Sequence, residues 1–402
     1  MYRCITELKG LIIDIDSFPE QIDDWKGIAS KLKCLFVSGD DNKITRLKNC
    51  GIEKGYKQKS YDKFFGPNEI THTKALQALQ LNATEVAYVS KDSSFLEKAG
   101  RFLGGTIWLT SNITYKQASI SPDLICKYPK ELEHFFDNNI KGFLGETYIN
   151  PNEGSRGIIP KTELDVDGIV VPVRFLGRYF GYSHYMNQLH PYSSAIFLNK
   201  KMGKAYHKYD DRFADLYVVA CRGIIESETI TGVCCVPNRP GTDERFGAIC
   251  SKIAKKCAID DLRKNFKCIR PYPTQKNLNA AAREENVASC FHYDGDLNGE
   301  NIILIDDIIS TGSTIKECVR TLKAAGANTV YVVVLAINQL GGSYWSSETA
   351  QISCPHCNKK MILLINGSSK AFFYWCPACH RTIDFIEGKK MLHEQVNLEM
   401  KR

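Results

Sequence analysis

ENIILIDDIISTGSTIKECVRTLKAAGA, residues Glu300 to Ala327, sets an apolar run against two carboxylates and a turn of hydroxyls and glycine. The run at 301–305 is uninterrupted, as a parallel strand covered on both faces requires. Ile315, Cys318, Val319, Leu322 and Ala325 recur at helical spacing, and Gly326 is a natural C-cap, so a helix is expected from Ser313 to Ala325. Asp306 and Asp307 therefore stand at the carboxyl end of a strand, where open α/β sheets bind ligands. The turn Thr311-Gly312-Ser313-Thr314 opens the helix. Its N–H groups, hydroxyls and positive dipole end suit a phosphate monoester. The two carboxylates would repel that phosphate; they suit ribose hydroxyls and a hard cation such as Mg²⁺. A ligand with a phosphate at one end and a diol with Mg²⁺ at the other satisfies both halves.

LIDDIISTGST resembles the phosphoribosyl-pyrophosphate (PRPP) signature of type I phosphoribosyltransferases. The resemblance implies that Asp306 and Asp307 hold the ribose hydroxyls. It gives Thr311, Gly312, Ser313 and Thr314 the 5′-phosphate, with Ile309 and Ser310 leading into the same site. Upstream, TGVCCVPNRPGTDERF (231–246) reads as a strand ending in a Pro/Gly/Arg loop. In the family the loop at this place wraps the pyrophosphate, which makes Arg239, Gly241 and Arg245 candidate contacts. RPYPTQKNLNAAAREENVASCF (270–291) is similar to a segment of competence-protein (ComF-like) phosphoribosyltransferases, matched here by Arg283, Asn286, Val287 and Phe291. By that likeness the segment is a lid with Lys276 or Arg283 facing the pyrophosphate; the other reading of these two residues is a solvated loop. The resemblance covers roughly residues 215–340 and does not name the acceptor base. The region 130–210, rich in Gly, Tyr, Asn and His, is expected to supply the hood that reads the base. The implied chemistry breaks the C1–pyrophosphate bond with oxocarbenium character. Positioning and charge stabilisation carry it, with no side-chain nucleophile.

Residues 1–120 alternate short apolar strands (LKGLIIDI, KCLFVSG, EVAYVS, GTIWLT) with helical stretches, the pattern of a parallel α/β sheet. GLIIDIDSF (10–18) puts Asp14 and Asp16 at the end of the first strand. It resembles motif I of the haloacid dehalogenase (HAD) superfamily, in which the first Asp accepts the phosphoryl group and the second is the general acid/base. Ser38 and Lys74 match motifs II and III in order. Motif IV, G-D-x-x-x-D, falls on Ser90-Lys91 and Phe95, so both of its acids are missing; Asp92 is the candidate metal ligand left beside Asp14 and Asp16 for Mg²⁺. No cap insertion is evident, which implies an open site for a phosphate on a large substrate. Two readings stand: a phosphatase, or a domain that has kept the shape without the catalysis.

At the other end, Cys354-x₂-Cys357 and Cys376-x₂-Cys379 are separated by 18 residues. This is a zinc spacing, closed and tetrahedral, between two short strands, MILLI and AFFYW. The competence-type family carries its zinc module before the transferase domain, so this placement departs from it. Residues 350–402 hold eight Lys/Arg against four Asp/Glu, with Phe372, Phe373, Tyr374 and Trp375 between the cysteine pairs. The aromatics either stack on single-stranded nucleic acid or form the ribbon's own core.

The 402 residues carry a net charge of +7, compatible with a phosphorylated or polyanionic partner. No apolar run nears the ~18 residues of a membrane span, and the amino terminus lacks a signal-peptide pattern, so a cytoplasmic protein is expected. Most of the 16 cysteines, among them Cys34, Cys221, Cys250 and Cys318, read as free buried thiols. The expected fold class is α/β with two Rossmann-like parallel-sheet domains, HAD-like over 1–120 and phosphoribosyltransferase over 121–345, followed by a zinc ribbon over 346–402. Within the second, DLYVVACRGII, TGVCCVP and TVYVVVLAI read as strands, with a helix from about Arg245 to Ala258. The expected function is transfer of phosphoribose between PRPP, or a ribonucleotide, and a nitrogenous base, coupled to a HAD-type phosphatase step. The alternative is a regulatory protein that senses PRPP or nucleotides without turnover and binds its partner through the ribbon.

Overall fold

The computed structural model describes residues 8–18, 23–49, 55–57, 75–81, 85–93, 95–96, 105–149, 155–181, 190–200, 206–272 and 280–339. Of the C-terminal module it describes 352–359, 361–365, 372–376, 378–384, 387–388 and 391. The chain is α/β, as its alternating apolar runs and amphipathic stretches require.

The first sheet holds β1 (Gly10–Asp14), β2 (Lys33–Ser38), β3 (Gly55–Lys57), β4 (Val86–Ser90), β5 (Gly105–Leu109) and β6 (Leu124–Cys126). Its order is β3-β2-β1-β4-β5-β6, with every pairing parallel. All five residues of β4 and of β5 are buried, as expected of parallel strands covered on both faces. The sheet runs past residue 120, because β6 and its following helix Pro129–Asp137 complete it. Strand order reverses between β1 and β4, the place where doubly wound sheets open a crevice at their carboxyl ends.

A two-stranded ladder of β7 (Ile140–Phe143) and β8 (Arg156–Ile158) leads to the second sheet. That sheet contains β9 (Lys161–Val166), β10 (Ile169–Phe175), β11 (Arg178–Tyr179), β12 (Gly232–Cys235), β13 (Asp260–Asp261), β16 (Asn301–Ile309) and β17 (Thr329–Asn338). Between β13 and β16 the chain forms a separate hairpin of β14 (Phe266–Cys268) and β15 (Phe291–Tyr293). The order is β13-β12-β16-β17-β10-β9, with β11 continuing on β17 beside β10. Only the β9–β10 pair is antiparallel. Part of the 130–210 region, expected as the hood, thus forms strands β9, β10 and β11 at the edge of this sheet. The order reverses between β12 and β16, so the crevice lies where the chain leaves those two strands. One face buries Ile302, Leu304, Val332 and Val334 under the helix Ser313–Ala324. The other buries Ile303, Ile305, Val333 and Leu335 under the helices Asp210–Ile225 and Gly247–Cys257.

The stretch DLYVVACRGII, expected as a strand, is helical within Asp210–Ile225. Leu216, Tyr217, Val218, Ala220, Cys221 and Ile224 are buried, but the open side of the helix carries Val219 at 52% exposure, so the apolar run continues through an exposed position. Periodicity does not separate such a helix from a buried strand, and tertiary burial decides. Asp210 and Asp211 in the first turn agree with the helix dipole.

The two sheets share one apolar core, which runs from Tyr88 and Trp108 through Ile113 and Phe143 to Leu304 and Val334. A buried ion cluster crosses the same junction. Arg178 of β11 donates from Nε to Glu146 Oε1 at 2.9 Å, from Nη2 to Glu146 Oε2 at 2.9 Å and from Nη1 to Asp123 Oδ1 at 3.0 Å. At the C-terminal end, β18 (Ile362–Ile365), β19 (Phe372–Trp375) and β20 (Thr382–Asp384) form a three-stranded antiparallel sheet. No helix among the described residues is long and apolar enough to cross a membrane. The described cysteines are free, and Cys34, Cys221, Cys250 and Cys318 are buried.

Candidate functional site

The apolar part of β16 drives the strand into the middle of the sheet and leaves Asp306 and Asp307 at its end. Asp306 is 8% exposed. Its Oδ1 accepts the Asp307 amide at 2.9 Å, and its own carbonyl accepts the Tyr217 hydroxyl at 2.6 Å. Asp307 Oδ2 accepts Arg245 Nη1 at 2.9 Å and lies 3.5 Å from Lys200 Nζ. Burial, then the neighbouring Asp307 charge, pushes the Asp306 carboxyl up. Burial would raise Asp307 as well, but Lys200 and Arg245 outweigh it and hold Asp307 below the usual carboxylate range. The two acids thus divide their work: one keeps a proton more readily, the other stays charged.

The turn follows at once. Gly312 has φ +82°, a left-handed conformation that also places it against Leu164; an added Cβ would meet Leu164 Cδ1 at 3.2 Å. Gly312 is the N-cap of the helix Ser313–Ala324, and no side chain caps that end. Thr311 Oγ1 and Ser313 Oγ are 3.0 Å apart. Arg283, Asp306 and residues 308–315 line a pocket of about 80 Å³ here. It is small enough for one compact polar group beside the first-turn amides.

The loop after β12 brings Arg245 to Asp307. Arg239 instead sits with its guanidinium carbon 4.3 Å from the Tyr272 ring centroid. Gly241 is left-handed at φ +75°, just before Thr242, which closes the loop by donating to the Arg239 carbonyl. Arg283, on the helix Ala280–Val287, lines the pocket and carries a buried Nε without a hydrogen-bond partner. Lys276 lies outside the described residues. Lys200 was not legible as a site residue, because it ends the helix Pro191–Lys200 in a stretch with no motif of its own. It reaches Asp307 over the Tyr179 ring, 5.4 Å from the centroid.

The first sheet builds a second polar cluster at its own order reversal. Asp14 Oδ2 accepts from Ser17 Oγ at 2.6 Å and from Ser90 Oγ at 2.8 Å. Asp16 accepts from Ser38 Oγ at 2.7 Å, Lys43 Nζ at 2.9 Å and the Gly39 amide at 3.0 Å. Asp14 is raised by burial, against the two serine hydroxyls. Asp14, Asp16 and Ser38 are therefore brought together. Asp92 is exposed and its amide donates to Ser90 Oγ at 2.9 Å. Phe95 packs edge-on against Tyr88 in the core, and Lys91 Nζ is 5.1 Å from the Phe18 ring centroid. Lys74 lies outside the described residues. Lys43 is the cation that the sequence reading missed.

Cys354, Cys357, Cys376 and Cys379 converge, with all four sulfurs within 4.8 Å of one another. Two tight knuckles produce this geometry, and such a set could hold a metal ion. Tyr374 is fully buried in the small module, which gives it a core role.

Residues 244–361 match the family described as "Phosphoribosyl transferase domain". The chain thus carries a phosphoribosyltransferase-type domain, and the match takes in β16, the turn and the helix that follows. Over 64 residues the chain is 34% identical to the DNA utilization protein YhgH of Salmonella typhi, covering 16% of this chain and 28% of that protein. Over 80 residues it is 37% identical to a ribose-phosphate pyrophosphokinase of Synechocystis, covering 18% of this chain and 24% of that protein. The alignments therefore span under a third of those relatives' length. Arg239, Lys200 and the whole first sheet lie outside the matched family segment.

The raised Asp306 carboxyl has a measurable consequence. A group whose folded pKa lies above its unfolded value of about 4 stabilises the fold below that pH and loses this contribution as pH rises. Replacing it with a neutral isostere removes the penalty at high pH. Asp306→Asn is expected to raise the melting temperature relative to the native chain at pH 8, with the gain shrinking toward pH 5. Thermal unfolding across that range checks the sign.

Proposed function

We propose that the chain is a phosphoribosyltransferase that binds Mg²⁺–PRPP, or another ribose 5-phosphate compound, and moves phosphoribose to or from a nitrogenous base. The observation that carries the reading is the juxtaposition at the end of β16: a carboxylate pair with Asp306 buried, two cations on Asp307, and an uncapped helix start behind a left-handed glycine. In this reading Asp306 and Asp307 accept the ribose hydroxyls. The amides and hydroxyls of residues 311–314 take the 5′-phosphate. Arg245 and Lys200 sit where a diphosphate would draw them from Asp307. Mg²⁺ fits beside the carboxylates as a hard cation on oxygen ligands, and when bound it supplies positive charge for the leaving diphosphate. The bond from C1 to the diphosphate oxygen breaks, its electron pair leaves with the diphosphate, and the base nitrogen forms the new bond to C1. The relative named ribose-phosphate pyrophosphokinase supports a ribose phosphate as the ligand class. The region 130–210 remains our proposed hood, and Lys200 is its contribution to the site. Pyrophosphate release from Mg²⁺–PRPP, measured across a panel of bases, tests the reading. A base-dependent rate that Asp307→Asn lowers by at least ~100-fold is expected; a rate unaffected by the substitution defeats it.

We further propose that the first sheet hydrolyses a phosphate ester, with Asp14 as nucleophile and Asp16 as acid/base. The convergence of Asp14, Asp16, Ser38 and Ser90 supports this, while the apolar Phe95 leaves it without an acid of the expected motif IV. Asp14→Asn is expected to abolish hydrolysis of a chromogenic phosphate ester and to leave pyrophosphate release intact. Absence of hydrolysis in the native chain would reduce the domain to a structural one.

A second reading is supported by the relatives named for DNA utilization. In it the chain senses PRPP or nucleotides without turnover in the cytoplasm, and the four-cysteine module binds single-stranded nucleic acid. Four thiolates on two knuckles fit a structural zinc ion, which would lock the module's fold. On this reading the native chain contains about one zinc and binds single-stranded DNA in a salt-dependent manner, and Cys354→Ser loses both. DNA binding that survives loss of the metal counts against it.

A further inference from the structure

The turn after β16 is fixed by a residue of the other sheet. Tyr115 lies in the connection between β5 and β6. Its hydroxyl donates to the Ser310 carbonyl at 2.7 Å. Burial pushes the Tyr115 phenol well above its ordinary pKa, so it stays a donor at any working pH. The described peptide bonds include no cis bond, and a trans peptide points its C=O and N–H in opposite directions. Holding Ser310 O on the Tyr115 side therefore holds the Thr311 N–H on the other. Two residues along, a Cβ on Gly312 would stand 3.8 Å from Tyr115 Oη and 3.2 Å from Leu164 Cδ1. Tyr115 and Leu164 together form the floor on which the turn lies.

Tyr115 is itself held rigidly. Thr114 and Gln117 close a capping box around its one-turn helix. Thr162 of β9 donates to the Ile113 carbonyl at 2.7 Å. Gln339, just past β17, accepts from the Ser121 amide at 2.8 Å and donates to the Ala118 carbonyl at 3.1 Å. The connection is thus bolted to the second sheet on both sides of the tyrosine. Nothing in the local sequence marks Tyr115, since ITYKQAS carries no ligand motif, and the residue lies outside the matched transferase segment.

We propose that Tyr115 is a positioning residue for the 5′-phosphate site: through the Ser310 carbonyl it orients the amides of the Thr311–Thr314 turn, so the first sheet supplies part of the phosphoribose site. This rests on the phosphoribosyltransferase reading above. The contact acts on the turn alone, at the phosphate end of the ligand. It should distinguish ligands that carry a 5′-phosphate from those that do not.

Tyr115→Phe in the full chain keeps the ring and removes the donor. Binding of Mg²⁺–PRPP, ribose 5-phosphate and Mg²⁺–pyrophosphate is measured by calorimetry for the native chain, Tyr115→Phe and Asp307→Asn. Tyr115→Phe is expected to weaken PRPP and ribose 5-phosphate by a common factor of ~5–50, as for a buried carbonyl that loses its donor, and to leave pyrophosphate unchanged. Amide exchange across 310–317 in the ligand-free variant is expected to quicken while β17 is unaffected. Equal weakening of all three ligands would mean general loosening and overturn the proposal. So would unchanged binding and exchange in Tyr115→Phe while Asp307→Asn still loses PRPP. A native chain that binds neither PRPP nor ribose 5-phosphate would remove the transferase reading itself, and this inference with it.

Discussion

Arg178 is the point on which the arrangement of the two sheets depends. The residue is 3% exposed, and its guanidinium is ringed by Glu146, Asp123 and the Pro122 carbonyl. Its backbone amide donates to Glu146 Oε1 at 3.0 Å. Burial would push Glu146 up, but Arg178 and His190 hold it down at about 2. Such a cluster adds little net stability over an apolar filling, yet losing one member leaves charge stranded and costs about 3–5 kcal/mol. Its value is geometric. Asp123 precedes β6 of the first sheet, Glu146 lies between the sheets, and Arg178 begins β11 of the second. Close approach completes the fit: Tyr192 packs so tightly on Gly145 and Gly177 that a Cβ on either would meet its ring within 2.6 Å. Tyr179, the next residue after Arg178, then lies beside Lys200 and so beside Asp307.

The two polar clusters follow one electrostatic plan. Each sits where its sheet reverses strand order. In each, a deeply placed Asp (Asp14, Asp306) is raised by burial, while a second Asp (Asp16, Asp307) is met by lysine or arginine. They differ in what surrounds the pair. Asp14 is wrapped by Ser17 and Ser90 hydroxyls, which satisfy one of its oxygens twice. The Asp306 pair opens toward a pocket at a helix start, with the unpartnered Nε of Arg283 beside it. The cluster at Asp306 and Asp307 thus gathers Arg245, Lys200 and Arg283 around a pocket, a positive surround suited to an anionic ligand.

Much of this was legible in the sequence because local pattern and burial agree. The apolar run of β16, the acid pair, the glycine that must turn left-handed and the apolar positions of the helix Ser313–Ala324 are all encoded within 28 residues, Glu300 to Ala327. The four-cysteine spacing carried its geometry in the same way. Lys200, Lys43 and Tyr115 were not legible, because each reaches its partner only through the packing of distant elements. The helix Asp210–Ile225 was misread as a strand because an exposed Val219 joins the buried Leu216–Val218 and Ala220–Cys221 into one apolar run, and such a run does not tell helix from strand by periodicity. Arg239 lies on the loop after β12 with its guanidinium over the Tyr272 ring, a contact across distant segments that the loop's own sequence does not encode.

The shared core between the sheets has a consequence for how the chain can have been assembled. Ile113, Phe143 and Leu164 belong to one continuous apolar body with residues of both sheets, so neither sheet possesses a finished surface at the junction. Separated, each would expose that seam to water together with half of an ion cluster. A phosphoribosyltransferase module cut free of its neighbour would be a sticky, open-faced fragment. The two sheets are therefore coupled through this seam: a substitution that opens the packing on one side leaves the apolar residues of the other without their partners.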